Sequence, residues 1–162
     1  MKIILIGFMG AGKTTIARML AQKLSFENID MDTLIIQKSG RTSDKEIFEK
    51  DGEIAFREME IAVAKELQNK NNAIISTGGG VVMNKIIVDY LKQDGIVIYL
   101  KNTFETAKKR IGKNPPPLFQ DETMAKKLYE VRLPLYHYYA NVVIETDDKN
   151  PQDIVEEIIK SL

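Results

Sequence analysis

The segment from Gly7 to Thr14 is the feature that most constrains how this chain folds. Its sequence, Gly-Phe-Met-Gly-Ala-Gly-Lys-Thr, fits the pattern G-x-x-x-x-G-K-[ST] and lies between an apolar run at 3–6 and a helical pattern from Thr15. This order predicts a strand, a glycine loop and a helix. A backbone that turns sharply and aims several N–H groups at one anion has no room for side chains on its inner face. The glycines therefore indicate an anion-binding loop.

The residues of this loop predict a bound nucleoside triphosphate. Lys13 supplies a movable charge for the outer phosphates, the Thr14 hydroxyl is placed to ligate Mg²⁺, and the next helix contributes the positive end of its dipole. The alternative is a glycine-rich turn with an exposed lysine, which the strand and helix context disfavours. The predicted nucleotide contacts are Gly10, Ala11, Gly12, Lys13, Thr14 and Thr15.

Composition and charge narrow the class of protein. The 162 residues, 44% of them apolar, predict one domain with one core. Lys+Arg and Asp+Glu both number 23, so no overall basic field recruits nucleic acid or an anionic membrane. The chain has no cysteine, which excludes disulfides and thiolate metal sites and suits a reducing cytoplasm. We expect a cytoplasmic monomer without a membrane-spanning or signal segment.

Short β-rich runs alternate with longer helical patterns along the chain. This alternation is typical of βαβ units, and it predicts a doubly wound α/β fold: a three-layer α/β/α sandwich around a five-stranded parallel sheet. Ligands of such sheets bind beyond the carboxyl ends of the strands. The predicted strands are 2–6, 27–30, 73–77, 96–100 and 141–145. The predicted helices are 13–24, 32–39, 53–70, 84–93, 103–112, 123–140 and 151–161.

Two acids close the second predicted strand, at Asp30 and Asp32. Either residue alone fits the role of a helix cap, because the next helix begins near Thr33. The third strand ends in Ser76-Thr77 rather than in the usual acidic partner for Mg²⁺. Asp30 is the natural replacement, acting through metal-bound water, and Asp32 is then left for an acceptor hydroxyl.

Other features are ambiguous when taken alone. The triplet Gly78-Gly79-Gly80 permits close approach of a ligand to the backbone, but it also fits a flexible turn. Arg57 lies in an amphipathic helical pattern beside Glu60, where a solvated i,i+3 ion pair is the ordinary interpretation. Arg132, before Leu133-Pro134-Leu135-Tyr136, is equally ambiguous.

The ordered set of motifs resembles the shikimate kinase family, and the resemblance covers nearly the whole chain. The set consists of Gly7–Thr14, Asp30-Met31-Asp32, Phe56-Arg57-x-x-Glu60, Gly78-Gly79-Gly80 and Arg132-x-Pro134-Leu135-Tyr136. The resemblance implies a P-loop NTPase fold like that of the nucleoside monophosphate kinases. It also implies that ATP, with Mg²⁺, phosphorylates the 3-hydroxyl of shikimate in aromatic amino-acid biosynthesis.

The resemblance also implies roles for individual residues. Arg57 and Arg132 would hold the shikimate carboxylate, and Asp32 would be the candidate base. Arg110 and the stretch 146–151, which includes Asn150, would lie beside the adenine. The implied shikimate-binding residues are Asp32, Arg57, Gly78, Gly79, Gly80 and Arg132, with Phe48 and Phe56 as pocket walls. The resemblance further implies a shikimate-binding helical segment at about 32–61 and a mobile lid at about 112–123.

One position departs from the family pattern. The lid of the family carries an arginine directly before a Pro-Leu pair, but here Pro116 precedes Pro117-Leu118. Lys113 and Arg110 are the cations on the amino-terminal side of the lid. We predict that Lys113 replaces the arginine and that the proline run 115–117 stiffens the hinge.

Two rival functions remain open at this point. A kinase acting on gluconate or a nucleoside monophosphate would share the loop and the sheet but would need a different acceptor pocket. A non-catalytic nucleotide switch or sensor is supported by the missing lid arginine alone. A GTPase switch is disfavoured because the chain has no Asn-Lys-x-Asp element for reading the base.

Overall fold

The computed structural model describes residues 1–113 and 119–162. The strands are β1 (Lys2–Ile6), β2 (Glu27–Asp30), β3 (Ala73–Ser76), β4 (Gly95–Lys101) and β5 (Val142–Glu145). The helices are α1 (Lys13–Leu24), α2 (Met31–Ser39), α3 (Asp44–Lys50), α4 (Gly52–Leu67), α5 (Lys85–Lys92), α6 (Phe104–Ile111), α7 (Glu122–Tyr139) and α8 (Pro151–Ser161). A short 3₁₀ turn, Val81–Met83, precedes α5.

The five strands form one parallel sheet in the order β2-β3-β1-β4-β5. Each strand predicted from the sequence is present, with bounds that move by at most one or two residues. The carboxyl ends of β1, β2 and β3 are neighbours, because Asp30 pairs in register with Ser76, and Ser76 pairs with Leu5. This edge of the sheet carries the phosphate loop and the acid pair.

Successive residues of β1 contribute to opposite faces of the sheet. Ile4 and Ile6 belong to a core cluster that also contains Phe56 and Tyr136, from α4 and α7. Ile3 and Leu5 belong to a second cluster, which is built with residues of α1 and α8. Both faces are covered, and this gives the predicted three layers of helix, sheet and helix. Within 1–113 and 119–162, no helix is long and apolar enough to cross a membrane.

Helix α3 is an element that the sequence prediction omitted. Ser43 caps it, because its hydroxyl accepts a hydrogen bond from the Glu46 backbone N–H at 3.1 Å. The Glu46 carboxylate in turn accepts from the Thr42 backbone N–H at 2.7 Å. Serine followed three residues later by glutamate is a helix-start signal, so the sequence did contain the information. Helices α2, α3 and the first half of α4 make up the segment 32–61.

Candidate active site

The phosphate loop joins β1 to α1 in a backbone conformation that only glycine adopts easily. Gly10 has φ +75° and Gly12, at the start of α1, has φ +90°. A β-carbon at Gly10 would lie 3.1 Å from the Ala107 carbonyl oxygen, so the loop also packs tightly against α6. The loop and the strand ends around it line a cleft of about 320 Å³. Its lining residues are Met9, Gly10, Gly12, Lys13, Thr14, Thr15, Asp30, Asp32, Thr77, Gly78 and Gly79.

Lys13 lies folded against its own loop. Its Nζ donates to the carbonyl oxygen of Gly7 at 2.7 Å and to that of Phe8 at 3.1 Å. Burial lowers the pKa of Lys13 to about 8, although the negative charge of Asp32 opposes this shift. This ammonium group is a charged and movable donor at the mouth of the loop, and the oxygens of a bound phosphate would compete with the two carbonyls for it.

The two oxygens of Asp30 have different partners. Oδ1 accepts from the Thr33 backbone N–H at 3.0 Å and so caps α2. Oδ2 accepts from the Thr14 hydroxyl at 3.1 Å and from the Ser76 hydroxyl at 2.9 Å. Burial by itself raises the pKa of Asp30, but these hydrogen bonds outweigh it and hold the pKa below its usual value. One ionised carboxylate, that of Asp30, can therefore cap α2 and at the same time lie beside Thr14.

Thr14 and Asp30 fit part of a magnesium site. A hydroxyl and a carboxylate in direct contact beside a phosphate loop are the oxygen ligands that Mg²⁺ prefers. Among the described residues, no three His, Cys, Asp or Glu side chains converge to hold a metal ion. The remaining ligands of an ion would therefore be phosphate oxygens and water, as is usual for Mg²⁺ in enzymes that bind nucleotides.

Asp32 faces Gly78 across the floor of the cleft. A β-carbon at Gly78 would lie 2.8 Å from Asp32 Oδ1, so a larger residue there would displace the Asp32 carboxylate. The residue keeps access to solvent, but protein surrounds much of its carboxylate. Burial raises the pKa of Asp32 to about 6, the charge of Asp30 adds to the shift, and Lys13 opposes it. Such a group takes up and releases a proton near neutral pH.

Arg57 and Arg132 meet above Gly80. A β-carbon at Gly80 would lie 3.1 Å from Arg132 Nη2 and 3.9 Å from Arg57 Nη1. Arg132 is 7% exposed, and its Nε has no partner in the described residues. Arg57 Nη1 donates to Glu60 Oε2 at 2.6 Å, and that carboxylate is 4% exposed. The Arg57 side chain, itself 40% exposed, therefore pairs with a buried carboxylate at the edge of the solvent-exposed surface.

An aromatic wall lies beside Arg57. The rings of Phe48 and Phe56 are stacked with centroids 4.5 Å apart, and the Arg57 guanidinium lies 5.4 Å from the centroid of the Phe56 ring. A larger, shallow depression of about 660 Å³ lies at the amino ends of β4 and β5, between α5 and the end of α7. It contains none of the predicted site residues, so the smaller cleft is the candidate active site.

Comparisons with known proteins agree with this geometry. A family model described as shikimate kinase matches residues 9–162. The chain belongs to the shikimate kinase family. The shikimate kinase of Enterococcus faecalis is 44% identical to it, over 99% of this chain and 97% of the relative. The chain is therefore assigned to the shikimate kinases and not to the gluconate kinases or the nucleoside monophosphate kinases.

Solved structures of shikimate kinases have the same fold. The shikimate kinase of Acinetobacter baumannii in complex with shikimate has a TM-score of 0.92 and 38% identity, covering 99% of this chain and 91% of that one. The shikimate kinase of Aquifex aeolicus has a TM-score of 0.87 and 35% identity, covering 99% and 95%. The predicted P-loop fold with a five-stranded parallel sheet is confirmed.

Arg110 and Asn150 lie on the β5 side of the phosphate loop. Arg110 donates to the Gly10 carbonyl at 3.1 Å and to the Thr146 carbonyl at 2.7 Å. Asn150 caps α8, because its Oδ1 accepts from the Asp153 backbone N–H at 2.9 Å. The contacts of Arg110 join the loop to the stretch 146–151. A position of these residues beside adenine, as the shikimate kinase resemblance implies, stays a prediction.

The segment 112–123, predicted to be a lid, is described only at its two ends. Lys113 is exposed and ends the first described range, whereas Pro116 and its neighbours at 114–118 lie outside the described residues. Phe119, which begins the second range, is 8% exposed and stacks on Phe104 at 5.4 Å. It also lies 6.0 Å from the ring of Phe8, in the phosphate loop. The residue that begins the second described range is therefore packed against that loop.

The sequence analysis missed two side chains that hold the site. Ser76 was noted as a missing acid, but its hydroxyl holds Asp30. The Tyr136 hydroxyl donates to the Gly79 carbonyl at 2.6 Å. Neither partner is close in sequence, and only strand order and helix packing bring them together. The sequence signals were a hydroxyl residue at the end of β3 and a tyrosine one helical turn after Arg132.

Proposed function

We propose that this protein transfers the γ-phosphoryl group of ATP to the 3-hydroxyl of shikimate, giving shikimate 3-phosphate and ADP in chorismate biosynthesis. One observation carries the proposal: Arg57 and Arg132 meet at Gly80, directly beside the cleft that joins the phosphate loop to Asp32. A small acid with several hydroxyl groups needs this combination of a paired cation, exposed backbone and a carboxylate.

The acceptor is held by its carboxylate and its hydroxyls. The two guanidinium groups offer forked N–H donors, which match the geometry of a carboxylate. Glu60 keeps Arg57 oriented through the 2.6 Å bond, and Phe48 and Phe56 form an apolar wall. The backbone of 78–80 lies between the arginines and Asp32. The carboxylate end and the reacting end of the acceptor are therefore held by different groups.

Phosphoryl transfer requires mainly positioning and charge stabilisation. The acceptor oxygen forms a bond to the γ-phosphorus, the bond from that phosphorus to the bridging oxygen breaks, and ADP leaves. Asp32 orients the attacking hydroxyl and takes up its proton, which suits a pKa of about 6. Lys13 neutralises charge on the phosphate oxygens. Thr14, and Asp30 through water, would hold Mg²⁺, which would supply further positive charge to the phosphate oxygens.

We also propose which residues border the nucleotide base, how the lid acts and where in the cell the protein works. Arg110 and Asn150 border the adenine, and the segment 112–123 closes over the site with Lys113 as its cation. The supporting observation for Arg110 is that it joins Gly10 to Thr146. The protein works as one domain and as a monomer in the cytoplasm, a setting that suits a chain without cysteine.

A coupled assay of ADP release tests the proposal. Purified protein with Mg²⁺-ATP should release ADP when shikimate is added, and the product should be shikimate 3-phosphate by mass spectrometry. Gluconate and nucleoside monophosphates serve as alternative acceptors and should give no turnover above the background. A protein that releases no ADP in response to shikimate is not a kinase of this acid. Thermal stabilisation by shikimate without turnover would instead identify a sensor.

A further inference from the structure

The inference concerns Tyr136, a residue of α7 to which the proposed function gives no role. Its side chain is 0% exposed, and its hydroxyl donates to the Gly79 carbonyl at 2.6 Å, across 57 residues of sequence. Arg132 lies one turn earlier on the same face of α7. Arg132 lies close to both glycines, since a β-carbon at Gly79 would lie 3.4 Å from its Nη1 and one at Gly80 would lie 3.1 Å from its Nη2. One helix face therefore holds the glycine segment at two points.

Because a peptide unit is planar, the hydrogen bond from Tyr136 to the Gly79 carbonyl also determines where the Gly80 N–H points. The Gly79 carbonyl and the Gly80 N–H belong to one trans peptide unit, so they point in opposite directions. Holding the carbonyl toward Tyr136 therefore turns the Gly80 N–H away from that side chain. In the described ranges, no hydrogen bond uses the Gly80 N–H. The Gly80 N–H is thus oriented and has no partner among the described residues, and it belongs to a residue that lies close to both arginines.

Glycine residues make this restraint necessary. A run of three glycines has the greatest backbone freedom of any tripeptide, so its peptide planes rotate unless something holds them. The 3₁₀ turn that follows fixes the Gly78 and Gly80 carbonyls through the N–H groups of Val81 and Met83. The Gly79 carbonyl has no backbone donor in the part of the chain that the structure describes. Tyr136 supplies the missing donor.

The phenol is itself held in place. The ring of Tyr136 stacks on that of Tyr99, with centroids 5.0 Å apart and planes 24° apart. Burial raises the pKa of Tyr136, and the charge of Arg132 and a side-chain hydrogen bond from Arg132 oppose this shift only in part. The hydroxyl therefore keeps its proton, and remains a donor, throughout the neutral pH range.

We propose that Tyr136 is a positioning residue for the acceptor: its phenol fixes the Gly79–Gly80 peptide so that the Gly80 N–H is presented to shikimate. This inference rests on the proposed function, since it assigns an acceptor contact within the same site. The proposed role of Tyr136 differs from a purely structural one. A purely structural hydrogen bond affects only the stability against unfolding, whereas an oriented amide affects the KM for one substrate.

The test is Tyr136→Phe, which removes one oxygen atom and keeps the ring stack. The KM for shikimate should rise about tenfold, which corresponds to about 1.4 kcal/mol. The kcat and the KM for ATP should stay within about threefold of wild type, because the loss falls on acceptor binding. A lowered Tm with an unchanged KM for shikimate would mean that the bond is only structural, and would overturn the proposal. Equal increases in both KM values would also overturn it.

Two other tyrosines provide matched controls. The Tyr129 hydroxyl donates to the Asn102 backbone carbonyl at 2.9 Å, so Tyr129→Phe removes a similar bond from the same helix away from the glycines. The hydroxyl of Tyr99 is buried without a partner in the described residues, so Tyr99→Phe removes no bond. Both variants should keep the wild-type KM for shikimate. An increase in either equal to that of Tyr136→Phe would contradict a specific role.

A measurement on the wild-type protein is independent of the variants. The ¹⁵N–¹H resonance of Gly80 should shift when shikimate is added, and the shift should be smaller in Tyr136→Phe. A Gly80 resonance that does not respond to saturating shikimate would refute the proposal.

Turnover of the wild type distinguishes failure of the Tyr136 proposal from failure of the proposed function. If the wild type phosphorylates shikimate and Tyr136→Phe has an unchanged KM, only the role of Tyr136 fails; if the wild type does not respond to shikimate, both proposals fail.

Discussion

The carboxylate of Glu60, 4% exposed, accepts a hydrogen bond from Arg57 Nη1 at 2.6 Å. Burial raises the pKa of Glu60, and its hydrogen bond and charge interaction with Arg57 oppose the shift. A buried carboxylate of this kind is stable only when its partner stays in place, because an unpaired buried charge is costly. Glu60 therefore restrains Arg57 Nη1, the nitrogen that would lie 3.9 Å from a β-carbon at Gly80, while Nη2 lies 3.7 Å from Glu53 Oε1.

This pair predicts that Arg57→Lys weakens shikimate binding. A lysine ammonium is a single point donor, so it cannot satisfy Glu60 and also form a fork on a substrate carboxylate. We expect a loss of about 1–3 kcal/mol in shikimate affinity with little change for ATP, measured by calorimetry. Arg41→Lys is the control, because Arg41 forms a similar ion pair with Asp51 at 2.7 Å. Equal shikimate affinity in Arg57→Lys and wild type would contradict the carboxylate contact.

Lys13→Ala should leave the fold intact and abolish most of the turnover. The ammonium supplies positive charge to the phosphate oxygens, and loss of such a group costs on the order of 10²-fold or more in kcat. Circular dichroism should be unchanged, and steady-state assays measure the loss. Lys23→Ala, in the last turn of the same helix, should keep wild-type kcat. Retained turnover in Lys13→Ala would remove the lysine from the mechanism.

Asp32→Asn should lower kcat more than it lowers shikimate affinity. The amide keeps the shape of the side chain beside Gly78 but cannot take up the hydroxyl proton. Steady-state kinetics with calorimetry separates the two effects. Asp44→Asn, at the start of α3, serves as the control for loss of a nearby acid. An unchanged kcat in Asp32→Asn would make Asp32 a binding residue only.

The same variant should stabilise the protein in a pH-dependent way. The pKa of Asp32 is raised to about 6 in the folded protein, against about 3.9 in an unfolded chain. The folded state therefore binds the proton more tightly, and this contribution to stability is present below about pH 4 and is lost as pH rises through about 6. At higher pH the ionised carboxylate opposes folding.

Because the side chain keeps access to solvent, we expect a gain of only about 1 kcal/mol for Asp32→Asn. This gain corresponds to a rise in Tm of about 2–4 °C at about pH 8 and a much smaller rise at about pH 4. Calorimetric scans of both proteins at the two pH values measure the difference. A Tm difference that does not change with pH would mean that the pKa of Asp32 is not raised.

Lys113→Ala tests the cation of the lid. If Lys113 neutralises charge on the transferred phosphoryl group, its removal should lower kcat by tens-fold, which corresponds to about 2 kcal/mol of barrier. The dissociation constants of ATP and shikimate should change little, because the contact forms during transfer. Lys109→Ala, an exposed lysine in the last turn of α6, is the control. Wild-type kcat in Lys113→Ala would leave Arg110 as the cation on this side of the site.

Local chemistry determined a large part of this fold from the sequence alone. The glycine loop between an apolar run and a helical pattern specifies a strand, a turn and a helix within a few residues of each other. Asn150 followed by Pro151 likewise fixed the start of α8, because the Asn150 side chain and the proline ring act on adjacent backbone. The overlooked helix α3 also had a local signal, in Ser43 and Glu46.

The contacts that make the site depend on packing between distant segments. Arg57 and Arg132 converge on Gly80 because α4 and α7, which carry them, pack on the same face of the sheet. Ser76 reaches Asp30 because β2 pairs with β3 in one particular register. No local sequence pattern predicts a contact between residues that are 46 or 57 positions apart in the chain. The sequence alone specified the residue types and the elements that carry them, whereas only tertiary packing, through strand order and side-chain burial, decided which of them meet.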